Sequence, residues 1–298
     1  MNAVDKPELP SIPCGSVVAI VGLGLMGGSL AAAIKASRPD IKVIGVARRP
    51  ETLAQATQRG FIDEGFLEPE PAAQAADILV LAVPVLSIVN LVGRLAPLLR
   101  EGAVLTDLGS TKVAVIQAMK KVRRGAQCVG SHPISGKEVS GLDASDPQLY
   151  RGATWVLCPT DFTATWAMEL VASLAKEVGA EPVVYGAAEH DAILARTSHL
   201  PFVVAACLTR TIAKKTAPHD LRLLSAGGYR DTTRLAGSDP QMMQDILVSN
   251  RANILEAIEQ MQAELEVFKQ LLANEAESGA AGLLRGYLEE TRSLRRQP

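Results

Sequence analysis

A buried strand that runs into a glycine-rich turn is the feature that most constrains this chain. Residues 17–21 read Val-Val-Ala-Ile-Val, and an apolar, alanine-rich segment after the turn predicts a helix up to Lys35. Between them lies the spacing G-x-G-x-x-G, typical of dinucleotide binding. Gly22 permits the tight turn, Gly24 lets a pyrophosphate approach the backbone, and Gly27 lets the helix pack on the strand. The alternative is an ordinary glycine turn, and the flanking strand and helix favour the dinucleotide site.

The end of the second predicted strand, residues 42–46, bears on the choice of cofactor. In NAD-binding units an Asp or Glu about 20 residues beyond the glycines binds the ribose 2′-hydroxyl. Ala47 occupies this position here, and Arg48 and Arg49 follow it. A guanidinium offers a planar fork to phosphate oxygens, so these arginines suit the 2′-phosphate of NADP. We predict NADP, with NAD as the alternative cofactor; the two arginines could also be merely solvated.

Strands and helices alternate up to about residue 185. The pattern predicts further strands at 77–84, 103–107 and 127–130, and a strand–helix–strand unit over 153–185. Such alternation with short connections predicts an α/β fold with a parallel, doubly wound sheet. Ligands bind beyond the carboxyl ends of the strands in such sheets. We therefore expect three segments to lie on one edge beside the glycine turn: residues 83–84, 109–111 and 131–133.

The composition changes near residue 186, after which only helices are predicted. This shift indicates a dinucleotide-binding domain over 17–186 and a helical domain over 187–298. Residues 1–16 contain three prolines and no apolar run, which predicts a loose tail. The irregular stretch 134–152 is long for a connection, so we interpret it as a functional cover or a flexible excursion.

Charge and composition exclude several classes of function. The net charge of −2 provides no basic surface for nucleic acid. No uninterrupted apolar run approaches the roughly 20 residues that span a bilayer. The four cysteines lie far apart and lack metal-ligand spacing. We therefore expect a cytoplasmic protein that acts on a small molecule, without nucleic acid, membrane or metal.

His132 is the first candidate for chemistry. It follows a predicted strand at the cofactor edge, where a neutral imidazole could take a proton from a substrate hydroxyl while nicotinamide takes a hydride. The rate is then expected to fall at acid pH as His132 becomes protonated. The pH of this acid limb should lie near the ordinary histidine pKa of about 6.5. The alternative is a structural histidine in a turn. Ser110 could orient this imidazole or contact the substrate, or it could cap the helix that follows.

The helical part contributes weaker candidates. His199 lies inside a long predicted helix and by itself is more typical of a core or surface histidine. Arg230 and Arg234 lie in a polar break between helices and suit a carboxylate, although a solvated loop is an even alternative. Two other histidines receive no chemical role: His190, interpreted as part of a charged first helical turn, and His219, interpreted as surface.

The whole chain resembles the prephenate/arogenate (cyclohexadienyl) dehydrogenase family of tyrosine biosynthesis. The resemblance implies a Rossmann-type doubly wound sheet followed by an all-helical dimerisation domain, and hence a homodimer. It implies oxidative decarboxylation that gives 4-hydroxyphenylpyruvate from prephenate or tyrosine from arogenate. Met243 departs from the pattern, since some relatives carry tryptophan there. The matching segments are residues 22–30, 79–84, 106–112, 130–136, 189–191, 198–201 and 230–236.

The resemblance also implies roles for individual residues. His132 matches the catalytic histidine that accepts the C4 hydroxyl proton, and Ser110 matches the serine that hydrogen-bonds this histidine and the substrate. The residues assigned to substrate binding are His199, Arg234, Arg230 and Ser131. The residues assigned to the cofactor are Gly22, Gly24, Leu25, Met26, Gly27, Arg48, Arg49, Val83, Pro84 and Thr111.

Two other functions remain open on the sequence. A β-hydroxyacid dehydrogenase shares the glycine turn and a helical second domain, but that class typically uses a lysine base. The long predicted helix offers only Lys214 and Lys215, at its end. A non-catalytic NADP-sensing protein would bind the cofactor without turnover.

Overall fold

One sheet of eight strands organises the protein. The computed structural model describes residues 12–122, 125–137, 139–274 and 282–296. The chain divides into two compact units, residues 1–250 and 251–298, and the sheet lies in the first. The strands are Val17–Val21 (β1), Lys42–Val46 (β2), Glu64–Phe66 (β3), Ile78–Leu81 (β4), Val104–Asp107 (β5), Gln127–Pro133 (β6), Thr154–Pro159 (β7) and Glu181–Val184 (β8).

Helices connect the strands and then continue alone. Those of the first unit are Leu25–Ser37 (α1), Pro50–Gln58 (α2), Pro69–Ala75 (α3), Val85–Leu95 (α4), Val113–Met119 (α5), Thr165–Glu177 (α6), Ala187–Leu194 (α7), Leu200–Ala213 (α8), Pro218–Leu224 (α9), Gly227–Thr233 (α10) and Pro240–Ser249 (α11). Those of the second unit are Arg251–Asn274 (α12) and Leu283–Arg296 (α13).

The strand order is β3-β2-β1-β4-β5-β6-β7-β8. Strands β1 to β6 pair in parallel, which confirms the doubly wound α/β fold. The expectation of a wholly parallel sheet is wrong at its end, because β7 pairs antiparallel with β6. The physical reason is the connection: a parallel neighbour needs a crossover to the opposite end of the sheet. Here the chain enters β7 at the same end of the sheet at which it leaves β6. The Ile134 amide, just after β6, donates to Thr154 O, at the start of β7, at 2.7 Å.

The core lies on both faces of the sheet. Along β1, Val18 and Ile20 belong to one apolar cluster, whereas Ala19 and Val21 belong to the other, because successive strand residues point to opposite faces. Helices α1 and α6 bury apolar residues in the first cluster, and α3, α4 and α5 do so in the second. Strand β3 was not predicted, because its three residues carry no buried apolar pattern.

The segment 139–152 packs against helix α1. The Tyr150 hydroxyl donates to Met26 O at 2.6 Å, and the Asp146 amide donates to Ser29 Oγ at 2.9 Å. Gly28 makes the close approach feasible, since a Cβ there would collide with Ser145 Oγ. The described part of this connection is therefore a packed cover over the start of α1 rather than a flexible excursion.

The first unit contains much of the predicted helical domain. Helix α11 packs on α4, where Asp245 Oδ2 accepts from the Leu86 amide at 3.2 Å. The predicted division at residue 186 stays a prediction. Residues 1–11 of the predicted tail lie outside the described residues, whereas Ile12 is buried in the sheet core and its carbonyl accepts from Arg38 at 3.0 Å.

A continuous helix connects the sheet to the remaining helices. Helices α7 and α8 are joined through a π-helical segment, Ala195–His199. Among the described residues, this run of 27 is the one helix long and apolar enough to cross a bilayer by length and composition alone. Only 17% of its most apolar window is buried within the chain. Most of the other apolar side chains of α8 are half-buried, and Ile193 is the exposed large apolar residue of this run.

Candidate active site

The glycine turn has the geometry that a dinucleotide requires. Gly22 has φ +103°, and a Cβ there would collide with the Ala82 carbonyl. A Cβ at Gly27 would collide with the Gly22 carbonyl. Gly24, which precedes the first residue of α1, faces open space. Two glycines are thus needed for packing, and the third leaves room where a pyrophosphate would meet the helix N-terminus.

The two arginines after β2 are exposed at the edge of the sheet that carries the glycine turn. Arg48 and Arg49 are exposed directly beyond the carboxyl end of β2. Neither side chain has an ion pair or a hydrogen bond within the part of the chain that the structure describes. Val83 and Pro84 lie beyond the end of β4, which is separated from β2 by β1 alone, as expected for the same edge.

The end of β5 is held to β6 by a buried ion pair. Lys112 and Asp107 are both fully buried, and their side chains form a short contact. Lys112 Nζ also donates to Ser131 O at 2.7 Å, and Asp107 accepts from the Ser131 amide at 2.9 Å and the Gly109 amide at 2.8 Å. Removal of one member of such a pair leaves an uncompensated buried charge, which costs about 3–5 kcal/mol. This pair holds the loop before α5 against the strand that carries His132.

Two residues predicted to contact ligands also make hydrogen bonds inside the protein, and their ligand roles stay predictions. Ser131, predicted to bind substrate, is fully buried, and its hydroxyl donates to Asp107 O at 2.5 Å. Thr111, predicted to bind the cofactor, is also fully buried, and its hydroxyl pairs with Ser249 Oγ at 2.8 Å. Ser131 therefore joins β5 to β6, and Thr111 joins the loop before α5 to α11.

His132 begins a series of buried side chains at the end of β6. Its Nδ1 lies 2.9 Å from His190 Nε2, and His190 Nδ1 lies 2.8 Å from Asp191 Oδ1. The two Asp191 oxygens accept from the backbone amides of Lys112 at 2.7 Å and Val113 at 2.9 Å. His190 lies at the start of α7 beside Glu189, as predicted, but only 2% of its surface is exposed, so it belongs to the buried series, a contact that was not predicted. The signal in the sequence that could have revealed this buried series is the adjacent pair His190-Asp191 at the start of α7.

The environment of His132 favours its neutral form. Burial lowers the pKa of His132 well below its ordinary value of 6.5, and the nearby His190, Lys112 and His199 add to this effect. The acid limb is therefore expected below pH 6.5, not at it. Neutral imidazole is the form that a general base needs.

His199 lies at the end of the π-helical segment and is almost fully buried. The Asn250 amide nitrogen lies 3.1 Å from His199 Nδ1 and donates to Asp191 O at 2.7 Å. Burial lowers the pKa of His199 to about 4, although the Asp191 carboxylate opposes this shift. The tertiary structure thus joins His199 to the His132 series through Asp191.

The other predicted site residues lie at more open positions. Ser110 is half-buried, and its hydroxyl has no partner within the described residues. The alternative that it caps the next helix is wrong, because α5 begins at Val113 without a side-chain cap. Arg230 in α10 and Arg234 in the following turn are exposed. This turn packs against α8, which starts directly after His199.

A doubly wound sheet with this glycine turn, and a buried neutral histidine at the same edge, defines a nicotinamide-dependent oxidoreductase. Residues 30–184 match the family model of the prephenate dehydrogenase nucleotide-binding domain, and residues 186–287 match that of the prephenate dehydrogenase dimerization domain. The chain belongs to the prephenate dehydrogenase family.

Similar proteins span nearly the same length. Cyclohexadienyl dehydrogenase from Zymomonas mobilis is 32% identical over 87% of this chain and 89% of its own. The crystal structure of A. aeolicus prephenate dehydrogenase in complex with hydroxyphenyl propionate and NAD+ superposes with a TM-score of 0.86 and 34% identity, covering 94% of this chain and 97% of that one. Synechocystis arogenate dehydrogenase superposes with a TM-score of 0.77 and 29% identity, covering 94% and 98%.

The structure also disfavours a lysine base. Lys214 and Lys215 are exposed and follow the last residue of α8. At 1.5 Å per helical residue, Lys214 lies about 22 Å along the helix from His199. The β-hydroxyacid dehydrogenase alternative therefore lacks its base in this long helix.

We expect acid to weaken the fold through His199. The unfolded chain, with a histidine pKa of 6.5, binds the extra proton before the folded protein, whose His199 pKa is about 4. The contribution of His199 is therefore complete above about pH 6.5 and is lost as the pH falls to about 4, by up to about 3 kcal/mol. His199→Gln should remove this part of the pH dependence, measured as urea unfolding at about pH 7 and about pH 4.5.

The matched control is His219→Gln, because His219 is exposed on α9. It should lose stability with acid as the wild type does. Equal acid sensitivity of His199→Gln and the wild type would contradict a buried neutral His199.

Proposed function

We propose that the protein is an NADP-dependent prephenate/arogenate dehydrogenase that oxidises and decarboxylates its substrate. It would give 4-hydroxyphenylpyruvate from prephenate and tyrosine from arogenate. The observation that carries the proposal is His132, a buried neutral imidazole whose Nδ1 contacts His190, at the edge of the sheet that bears the glycine turn. Similarity to the cyclohexadienyl and arogenate dehydrogenases supports the substrate class.

The residues of the chain would divide the chemistry as follows. A bound NADP+ supplies the hydride acceptor, and the glycine turn with open space at Gly24 fits its pyrophosphate. His132 Nε2 takes the C4 hydroxyl proton as hydride leaves C4 of the ring. Ser110, whose hydroxyl is unpartnered among the described residues, orients the substrate hydroxyl. Loss of CO2 from C1 then makes the ring aromatic and the step effectively irreversible.

Substrate binding is assigned to His199, Arg234 and Arg230. An arginine can bind a carboxylate through two parallel hydrogen bonds, and both substrates carry carboxylates. Arg230 and Arg234 are exposed close to α8, which starts directly after His199, and this makes them accessible to a ligand. We propose that these side chains recognise the carboxylates while His132 acts on the ring hydroxyl.

We further propose a cytoplasmic homodimer assembled through the helical domain. Residues 186–287 match the family's dimerization domain, and only 17% of the most apolar window of Ala187–Ala213 is fully buried, the rest being partly exposed. A second copy would bury this apolar surface, which is the main favourable term in association.

We expect turnover of prephenate, arogenate or both with NADP+, followed as the appearance of NADPH. His132→Asn keeps a hydrogen-bonding side chain but cannot take the proton, so kcat should fall at least about a hundredfold. KM for NADP+ should change only by a few-fold, because the substitution leaves the glycine turn untouched. In the wild type, the acid limb of kcat/KM should lie below pH 6.5, since burial lowers the pKa of His132.

An absence of turnover with both substrates, while NADP+ still binds, would favour the cofactor-sensing alternative. If the Asn variant retains most of its kcat, His132 is not the base.

We expect the wild type to prefer NADP+ over NAD+ through Arg48 and Arg49. Each charge-assisted hydrogen bond to the 2′-phosphate contributes about 1.5–3 kcal/mol. The double variant Arg48→Ala/Arg49→Ala should therefore raise KM for NADP+ at least about tenfold and leave KM for NAD+ nearly unchanged. The matched control is Arg292→Ala/Arg295→Ala on exposed α13. A wild type that prefers NAD+ would overturn this cofactor choice.

We expect Arg234→Ala to raise KM for the substrate far more than KM for the cofactor, by at least about tenfold, because it removes a carboxylate partner. His199→Asn should act in the same direction but less. Arg222→Ala on exposed α9 is the matched control and should leave both constants unchanged. If Arg234→Ala and His199→Asn change thermal stability alone, their assignment to the substrate is wrong.

A further inference from the structure

The role proposed for His132 does not yet account for the two buried side chains behind it. His190 and Asp191 expose 2% or less of their surface, and they form a series with His132 through contacts of 2.9 and 2.8 Å. Polar groups this deeply buried are expensive unless their hydrogen bonds are made in full. The direction of each hydrogen bond, from donor to acceptor, therefore determines which ring nitrogens carry protons.

The backbone amides show which atoms donate and which accept at the Asp191 end of the series. An N–H group can only donate, so both Asp191 oxygens act as acceptors for the amides of Lys112 and Val113. An ionised carboxylate has no proton to give to His190 Nδ1. His190 Nδ1 therefore carries a proton and donates it to Asp191 Oδ1.

The direction of the hydrogen bond between His132 and His190 follows from the proton on His190 Nδ1. In a neutral His190 ring, a protonated Nδ1 leaves Nε2 as an acceptor. His132 Nδ1, 2.9 Å away, must then carry its own proton and donate it. The neutral His132 ring is left with a lone pair on Nε2, which is the state that a base needs.

We propose that His190 and Asp191 are positioning residues that hold His132 in the tautomer with an unprotonated Nε2 and share the charge of the proton it accepts. When His132 Nε2 gains a proton, the Nδ1 proton can pass to His190 Nε2. The cation then lies on the ring that contacts the Asp191 carboxylate. The base role rests on the proposed function, whereas the tautomer does not.

The charges around this series single out Asp191 as the carboxylate that would stabilise the cation. From the loop before α5, the buried Lys112 ammonium faces His132 and opposes its protonation, as His199 does from the π-helical segment. Asp107 of β5 is already paired with Lys112 and accepts two backbone amides. Asp191 is the carboxylate in direct contact with the second ring. The protonated form of His132 is therefore expected to depend on the Asp191 carboxylate through the contact with His190.

The direct test is the ¹H–¹⁵N correlation spectrum of the histidine rings in the full-length protein without substrate. We expect His132 to show a protonated Nδ1 and an unprotonated Nε2 at neutral pH. The His132 signals are assigned by their loss in His132→Asn. A wild-type His132 with a protonated Nε2 would overturn the proposal, whatever the enzyme's activity.

Variants of His190 separate positioning from packing. His190→Phe retains an aromatic ring but offers no acceptor, so His132 should lose the fixed tautomer and kcat should fall about a hundredfold, within the range of general-base catalysis. KM for NADP+ should stay within a few-fold. His190→Gln supplies an amide oxygen that can accept from His132 Nδ1 and an amide nitrogen that can donate to Asp191. It should restore the tautomer and most of kcat, and it keeps the test open if the Phe variant does not fold.

Asp191→Asn tests the sharing of charge. Removal of the negative charge destabilises the protonated pair, so the acid limb of kcat/KM should move to lower pH. A purely structural aspartate would lower stability and leave this limb in place. His219→Asn, an exposed control, should change neither the spectrum of His132 nor the pH profile.

Each outcome bears on one of the two proposals. If His190→Phe leaves the His132 tautomer and kcat unchanged, or if Asp191→Asn leaves the acid limb in place, His190 and Asp191 are not positioning residues. If the spectra and their response to the variants are as expected but neither prephenate nor arogenate is turned over, the proposed function fails and the tautomer assignment stands.

Discussion

The buried carboxylate of Asp191 is the interaction on which the site depends. It lies on α7, yet its oxygens accept the amides of Lys112 and Val113 from the sheet side of the protein. Its backbone carbonyl accepts from Asn250, which also contacts His199. A single aspartate therefore connects the strand edge, the long helix and the end of α11. A buried carboxylate is tolerated here because hydrogen-bond donors surround it.

Two other buried aspartates are satisfied in the same way, by backbone amides. Asp107 accepts the amides of Gly109 and Ser131, and Asp245 accepts the Leu86 amide at the start of α4. Hydrogen bonds to charged groups contribute about 1.5–3 kcal/mol each, and amides held by secondary structure are rigid donors. Asp107 thereby fixes the end of β5 against β6, and Asp245 fixes α11 against the start of α4, with little freedom. Such rigidity is what a base needs if it must lie within hydrogen-bond reach of a substrate hydroxyl.

The same helix combines a polar site with a partly exposed apolar surface. Within Ala187–Ala213, the side chains of His190, Asp191 and His199 are buried, while most of the apolar window is only partly buried. Membership of a family with a dimerization domain provides a physical reason for this surface. Assembly of two copies and formation of the active site would then depend on the same helix.

The sequence by itself determined the fold class, because local signals were sufficient. The strand–glycine–helix pattern at 17–35 and the alternating apolar runs predicted the doubly wound sheet, and His132 at a strand end predicted a candidate base. The antiparallel β7, the contacts of His190 and Asp191, and the internal hydrogen bonds of Ser131 and Thr111 were decided only by the tertiary structure. The reason is distance along the chain: His132 and His190 are 58 residues apart, and His199 and Asn250 are 51 apart. No local periodicity encodes such contacts, since they form only when helices dock on the completed sheet edge.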